Sequence, residues 1–176
     1  MIGGTRSTRW WVAGVMLVLG IVGAVGNAGV ASAATKTEKT FGKWLATCVD
    51  ADNGKRRCTL SQSQINPTTH RALFIVTIGG TKDAQNLGVV VPTGVSVKDG
   101  VTLNFSDGAP TTIGYSVCGP RVCYAGTPLD AKMVGTLKGH PKGVANYVLA
   151  NKKLVQVNLD LASFSDAFAY FLSQLQ

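Results

Sequence analysis

Residues 41–64 read FGKWLATCVDADNGKRRCTLSQSQ. Two short runs, in which apolar side chains are interleaved with polar ones, flank the turn signal Asp52-Asn53-Gly54. Asn and Gly tolerate the positive φ that a tight reversal demands. Taken at a period of two, the segment is a β-hairpin. Cys48 stands on its first arm and Cys58 on its second, and Lys55, Arg56 and Arg57 follow the turn.

The same grammar extends outward in both directions. RALFIVTIG (71–79), LGVVVP (87–92), GVTLNF (100–105), TTIGYSVC (111–118) and VCYAG (122–126) are short runs rich in Val, Ile and Thr. Such residues suit a half-buried pleated surface. Asn66-Pro67, Gly79-Gly80, Asp99-Gly100 and Asp107-Gly108 punctuate the runs as turns. Residues 143–161, GVANYVLANKKLVQVNLDL, form a further hairpin that reverses at Asn151-Lys152. In its second arm Val155, Val157 and Leu159 alternate with Leu154, Gln156 and Asn158. LDAKMVGTL (129–137) is expected as a short helix that Gly135 weakens.

The period changes near the C-terminus. In SFSDAFAYFLSQLQ (163–176), Phe164, Ala167, Phe168, Phe171, Leu172 and Leu175 fall on one helical face. Ser163 or Ser165 can cap this helix, and Asp166 suits the positive end of its dipole. The stripe is expected to close over the β core as a lid, with a membrane- or partner-binding helix as the alternative. The fold class is therefore mainly β: a single compact β-sandwich or barrel-like domain with a C-terminal amphipathic helix packed on it.

At the other end, Arg6 and Arg9 precede an apolar run, and Ala31-Ser32-Ala33 is a small-x-small pattern. This is the arrangement of a secretory signal peptide cleaved after Ala33. The competing reading is a retained anchor, since no charge falls between Arg9 and Lys36. The Gly- and Ala-rich second half suits a peptidase better than a lipid core. The expected organisation is a signal peptide at 1–33, a flexible leader at 34–40 and a β domain at 41–176. The chain carries 17 Lys+Arg against 9 Asp+Glu, a net charge of +8. A basic excess raises the prospect of an anionic partner. Without basic stretches interleaved with aromatics, nucleic acid is not expected.

Four cysteines in an exported chain point to disulfides. They allow three pairings; locality favours Cys48 with Cys58 and Cys118 with Cys123, each closing a short loop. CGPRVC (118–123) has four residues between its cysteines, where a thioredoxin-type dithiol has two and places its first thiol at a helix N-terminus. A structural zinc site would want two closely spaced ligand pairs, and only His70 and His140 could assist. The expectation is two structural staples, with no metal and no cofactor.

The ordered set of segments resembles the invasion-associated locus B family, exported proteins of Gram-negative, mainly alphaproteobacterial, species. The likeness is carried by FGKWLATC (41–48), CTLSQ (58–62), VPTGV (91–95), Asp99-Gly100-Val101, the 118–123 box with Tyr124-Ala125, and the strand-to-helix segment 159–172. Val122 and Ser163 stand where that family commonly has glycine. The resemblance implies a compact, disulfide-bonded, exported β domain, and supplies no catalytic residue. Its founding members are linked to host-cell entry.

No nucleophile-elbow, zinc-protease or phosphate-loop pattern occurs. His70 and His140 lie in Pro- and Gly-bearing loop contexts. The expected function is therefore non-enzymatic binding in the bacterial envelope, with Lys55, Arg56 and Arg57 as the candidate contact for an acidic envelope or host component. Membrane contact would be peripheral only. Localisation is expected in the periplasm, at the outer membrane or in the medium. The alternatives are a small periplasmic enzyme without a recognised motif and a structural accessory of the envelope.

Overall fold

The computed structural model describes residues 35–50, 55–106 and 108–175. The signal-peptide reading of 1–33 and the turn Asp52-Asn53-Gly54 lie outside them. The strands are β1 (Lys36–Phe41), β2 (Trp44–Asp50), β3 (Arg56–Ile65), β4 (Ala72–Gly80), β5 (Gln85–Pro92), β6 (Val101–Asn104), β7 (Thr111–Ile113), β8 (Tyr115–Cys118), β9 (Val122–Pro128), β10 (Lys142–Val148) and β11 (Leu154–Asp160). Helix α1 (Ala131–Gly139) precedes β10, and α2 (Phe164–Gln174) follows β11.

The strands form two antiparallel sheets, one of seven in the order β1-β2-β3-β4-β5-β9-β8 and one of four in the order β11-β10-β6-β7. Alternation decides what each sheet buries. The large sheet turns Trp44, Ala46, Leu60, Phe74, Val76, Ile78, Leu87, Val89, Val91 and Ala125 inward, all nearly inaccessible. Val101, Leu103, Ala145, Tyr147, Val157 and Leu159 of the small sheet meet them. Four strands cannot cover seven, and α2 fills the remainder by packing on β1, β2 and β3. Its Phe164 ring lies 5.2 Å from the Trp44 ring. The helix is thus the lid that its periodicity implies.

Three expectations need correction. The leader at 34–40 is not loose: residues 36–41 are an edge strand, in register with β2 from Lys36↔Val49 to Phe41↔Trp44. A two-residue loop joins them, with Gly42 at φ +57°, the first loop position at which a type II′ turn calls for glycine. An edge strand needs backbone partners on one side only, and charges protect the other; Lys36, Glu38 and Lys39 are all exposed. The Lys36 ammonium, 2.7 Å away, holds the Glu38 carboxyl below its ordinary pKa. Second, TTIGYSVC is not one strand. It breaks at Gly114, so that Thr111–Ile113 joins the small sheet and Tyr115–Cys118 the large one. Third, Ser163 occupies the N-cap of α2, but its side chain makes no capping hydrogen bond. The short helix does have a cap: Asp130 accepts from the Met133 amide at 2.7 Å. Ser163 and Val122 both lie outside the positive-φ region, so neither position requires glycine.

Among the described residues, Gln62 is the buried polar side chain of this core. Its Nε2 donates to the Asp160 carbonyl at 2.7 Å, and its Oε1 accepts from the Asp160 amide at 2.9 Å. One side chain thereby gives the β11 edge the two hydrogen bonds that a neighbouring strand would supply. Trp44 Nε1 adds a third bond to the same carbonyl, and Gln64 Nε2 reaches the Asn158 carbonyl. Buried backbone groups left unpaired would cost about 1–3 kcal/mol each. The alternating SQSQ of β3 thus joins the two sheets along one side.

Tyr115 introduces a pH dependence. Its Oη is buried and has no hydrogen-bond partner among the described residues. Burial first, and then neighbouring Tyr147, push its pKa up to about 12. Unfolded tyrosine titrates near pH 10, so the folded chain holds the proton more tightly. The stability linked to it is complete below about pH 10 and is lost as pH rises through about 12. Tyr115→Phe is expected to melt no lower than wild type at neutral pH, because it removes an unpartnered hydroxyl. It should also lose less melting temperature as pH rises through the alkaline range. Thermal melts of both proteins across neutral and alkaline pH check this.

Candidate functional site

β2 and β3 pair so that Cys48 faces Cys58 directly. Their Cα atoms are 4.0 Å apart, and the two residues form a disulfide within the core. The end of α2 closes over it, with the Gln174 carbonyl oxygen 3.9 Å from Cys58 Sγ. This is a packing contact, since a disulfide sulfur carries no proton. The second disulfide, Cys118–Cys123, also has a Cα separation of 4.0 Å and clamps the β8–β9 hairpin. Gly119 N donates to the Val122 carbonyl across that turn, and Thr93 N to the Arg121 carbonyl. CGPRVC is a staple.

Beyond the first disulfide the hairpin continues with Val49 opposite Arg57 and Asp50 opposite Arg56. Alternation sends the two arginines to opposite faces, and the basic cluster divides accordingly. Arg56 Nη1 pairs with Asp50 at 3.3 Å, and Nη2 donates to Thr37 Oγ1 at 3.2 Å. Arg56 therefore ties β3 across β2 to β1. Lys55 and Arg57 are exposed. All three residues border an open hollow of about 700 Å³, completed by Cys58, Thr59, Gly79, Gly80, Thr81 and Leu175. Among the described residues, its lining includes no carboxylate.

The far wall depends on glycine. Gly80 has φ +125°, and a Cβ there would collide with the Ala84 carbonyl oxygen. The β4–β5 turn that follows is closed by Thr81 N to the Ala84 carbonyl at 2.9 Å. Exposed Lys55 and Arg57, at the start of a disulfide-anchored strand and bordering a hollow that also presents the hydroxyls of Thr59 and Thr81, can take an anion. Cations held in place in advance lose less entropy on binding than mobile ones.

The histidines do not join this hollow. His70 lies exposed in the β3–β4 turn at φ 52°, and His140 follows α1, its Nδ1 2.8 Å from the Thr136 carbonyl oxygen. Among the described residues, no three of His, Cys, Asp and Glu converge as a metal site.

Comparison with known proteins gives a consistent result. The family model described as "Invasion associated locus B (IalB) protein" matches residues 44–171. Two curated proteins, invasion protein B homologs from Brucella abortus strain 2308 and from B. abortus biovar 1 strain 9-941, are each 25% identical to this chain over 132 residues. The match covers 74% of this chain and 76% of each relative. The crystal structure of invasion associated protein B from Bartonella henselae superposes with a TM-score of 0.67 at 21% identity, over 78% of this chain and 95% of that one. At that identity the likeness speaks to the fold.

Proposed function

Since this chain belongs to the invasion associated locus B family, we propose that it is a non-enzymatic binding protein, exported to the bacterial envelope after removal of residues 1–33. In this reading it engages an anionic envelope or host component through Lys55 and Arg57. The observation that carries it is the hollow itself: exposed cations beside a buried disulfide, with no acidic side chain among the described residues that line it. The family's curated relatives bear the names of invasion proteins rather than of enzymes. Host-cell interaction is accordingly the process in which we place the binding.

The test separates Lys55 and Arg57 from Arg56. Wild-type protein is expected to bind polygalacturonate or phosphatidylglycerol-rich vesicles in a salt-dependent manner. Affinity should fall steeply between about 0.01 M and 0.15 M salt, as the screening length shrinks from about 30 Å to about 8 Å. The double variant Lys55→Gln/Arg57→Gln should lose most of that binding, with thermal melts showing that it remains folded. Arg56→Gln should instead lower stability by about 1 kcal/mol, since it removes a partly buried pair with Asp50 and a bond to Thr37. Salt-insensitive binding, or a double variant that binds like wild type, removes the reading.

A further inference from the structure

We propose that the anionic partner is an acidic polysaccharide, which lies across the outer face of the large sheet with a sugar ring stacked on Tyr124 and its acid groups at Arg57 and Lys55. This rests on the anion-binding reading above and assigns the chemical class of the ligand.

The argument starts from the glycines of that face. Gly88 lies opposite both Thr77 and Gly126, and neither glycine places a side chain on the surface. A Cβ at Gly88 would collide with Tyr124 Oη and come within 2.7 Å of Thr77 Oγ1; one at Gly126 would lie 3.7 Å from Tyr124 Cε1. The Tyr124 ring therefore rests on a strip cleared of side chains, and the residue is still 40% exposed. Stabilising strand glycines with a cross-strand aromatic is a known device, but it leaves one π face open to solvent. That face is the negative pole of the ring quadrupole. It attracts the weakly positive C–H groups on the flat side of a sugar.

The surroundings match the rest of a sugar. The hollow beside Tyr124, about 550 Å³, is lined by Thr59, Thr77 and Asn86 among others, all uncharged donors and acceptors. It shares Thr59 and Gly79 with the basic hollow, so the two form one track. A side chain at Gly79 would point into open space. Its absence keeps the connection clear. The ring tip, at the level of Thr77, lies two side-chain rows from Arg57 on the same face, a distance of about 14 Å along the strands. One sugar ring cannot touch both, whereas a chain of acidic sugars can. An anionic lipid surface would use the cations and have no need of an uncharged trough ending at an aromatic plate.

The experiment compares four probes by equilibrium binding to the intact protein. Polygalacturonate carries rings and charge, polyglutamate charge alone, dextran rings alone, and phosphatidylglycerol vesicles a lipid surface. The expected result is tighter binding to polygalacturonate than to polyglutamate at equal charge concentration, with dextran far weaker. Tyr124→Leu, which keeps apolar cover over Gly88, should weaken polygalacturonate binding about tenfold and leave polyglutamate unchanged. Tyr124→Phe should retain binding, and melts of both variants establish that they are folded. If Tyr124→Leu binds polygalacturonate like wild type, or vesicles bind while polygalacturonate does not, the polysaccharide proposal is overturned and the anion site stands. If none of the charged probes binds, or Lys55→Gln/Arg57→Gln changes nothing, both fall together.

Discussion

Phe168→Ala is expected to lower stability by about 3–5 kcal/mol, the range for truncating a buried phenylalanine. For a domain of this size that is a drop of roughly 10 °C or more in melting temperature. Phe168 is 3% exposed and stands in the middle of a run of rings, 5.4 Å from Phe164 and 6.0 Å from Phe171. Lys138 of α1 lies over it at 5.3 Å, so the neighbouring helix closes the site from outside. Its ring and cation neighbours come from two helices, Phe164 and Phe171 of α2 and Lys138 of α1, so no single side chain can collapse into the space it would leave. If the helix instead served a membrane or a partner, the alanine variant would melt like wild type and lose binding. Thermal melts and binding assays on the same samples separate the two cases.

Removing the buried staple by Cys48→Ala/Cys58→Ala should cost about 2–3 kcal/mol on the loop-entropy estimate for a short closed loop. It should also weaken binding at the adjacent hollow, because Lys55 and Arg57 lose the anchor that holds their strand. The Cys118–Cys123 bridge closes a still shorter loop, so Cys118→Ala/Cys123→Ala should cost less. It lies away from Lys55 and Arg57, so binding of polyglutamate should not change. Chemical denaturation of the two double variants, paired with polyglutamate binding, checks both halves. Equal losses of affinity would mean that the first disulfide does not preorganise the hollow. Mild reductant should open Cys118–Cys123 first, since Cys118 is exposed while Cys48 and Cys58 are both buried.

The readable parts of this chain were those whose signal is local. Alternation in ATCV and VQVNL, the reversal at Asn151-Lys152 and the 3.6-residue stripe of Phe164, Phe168 and Phe171 each depend on residues within one or two turns of each other. The disulfides were legible for a related reason, because each cysteine faces its partner across a single hairpin. Strand β1 escaped notice because an edge strand is held by backbone hydrogen bonds and carries no apolar period. The role of Gln62 was equally invisible. A glutamine within an alternating polar run looks solvated until another strand's backbone is found beside it.

The sequence by itself determined the types and turn positions of most elements, β1 and the break at Gly114 excepted, because side-chain period and backbone sterics act within a few residues. Only the tertiary structure decided the order of strands, since pairing is chosen by how the whole set of apolar faces can be buried at once. That order sets β3, β4, β5 and β9 side by side. It thereby places Tyr124, two cleared glycines and Arg57, which are far apart along the chain, on one continuous surface. The separation of Arg56 from Arg57, neighbours in sequence, is by contrast local, because adjacent residues of a pleated strand must face opposite ways.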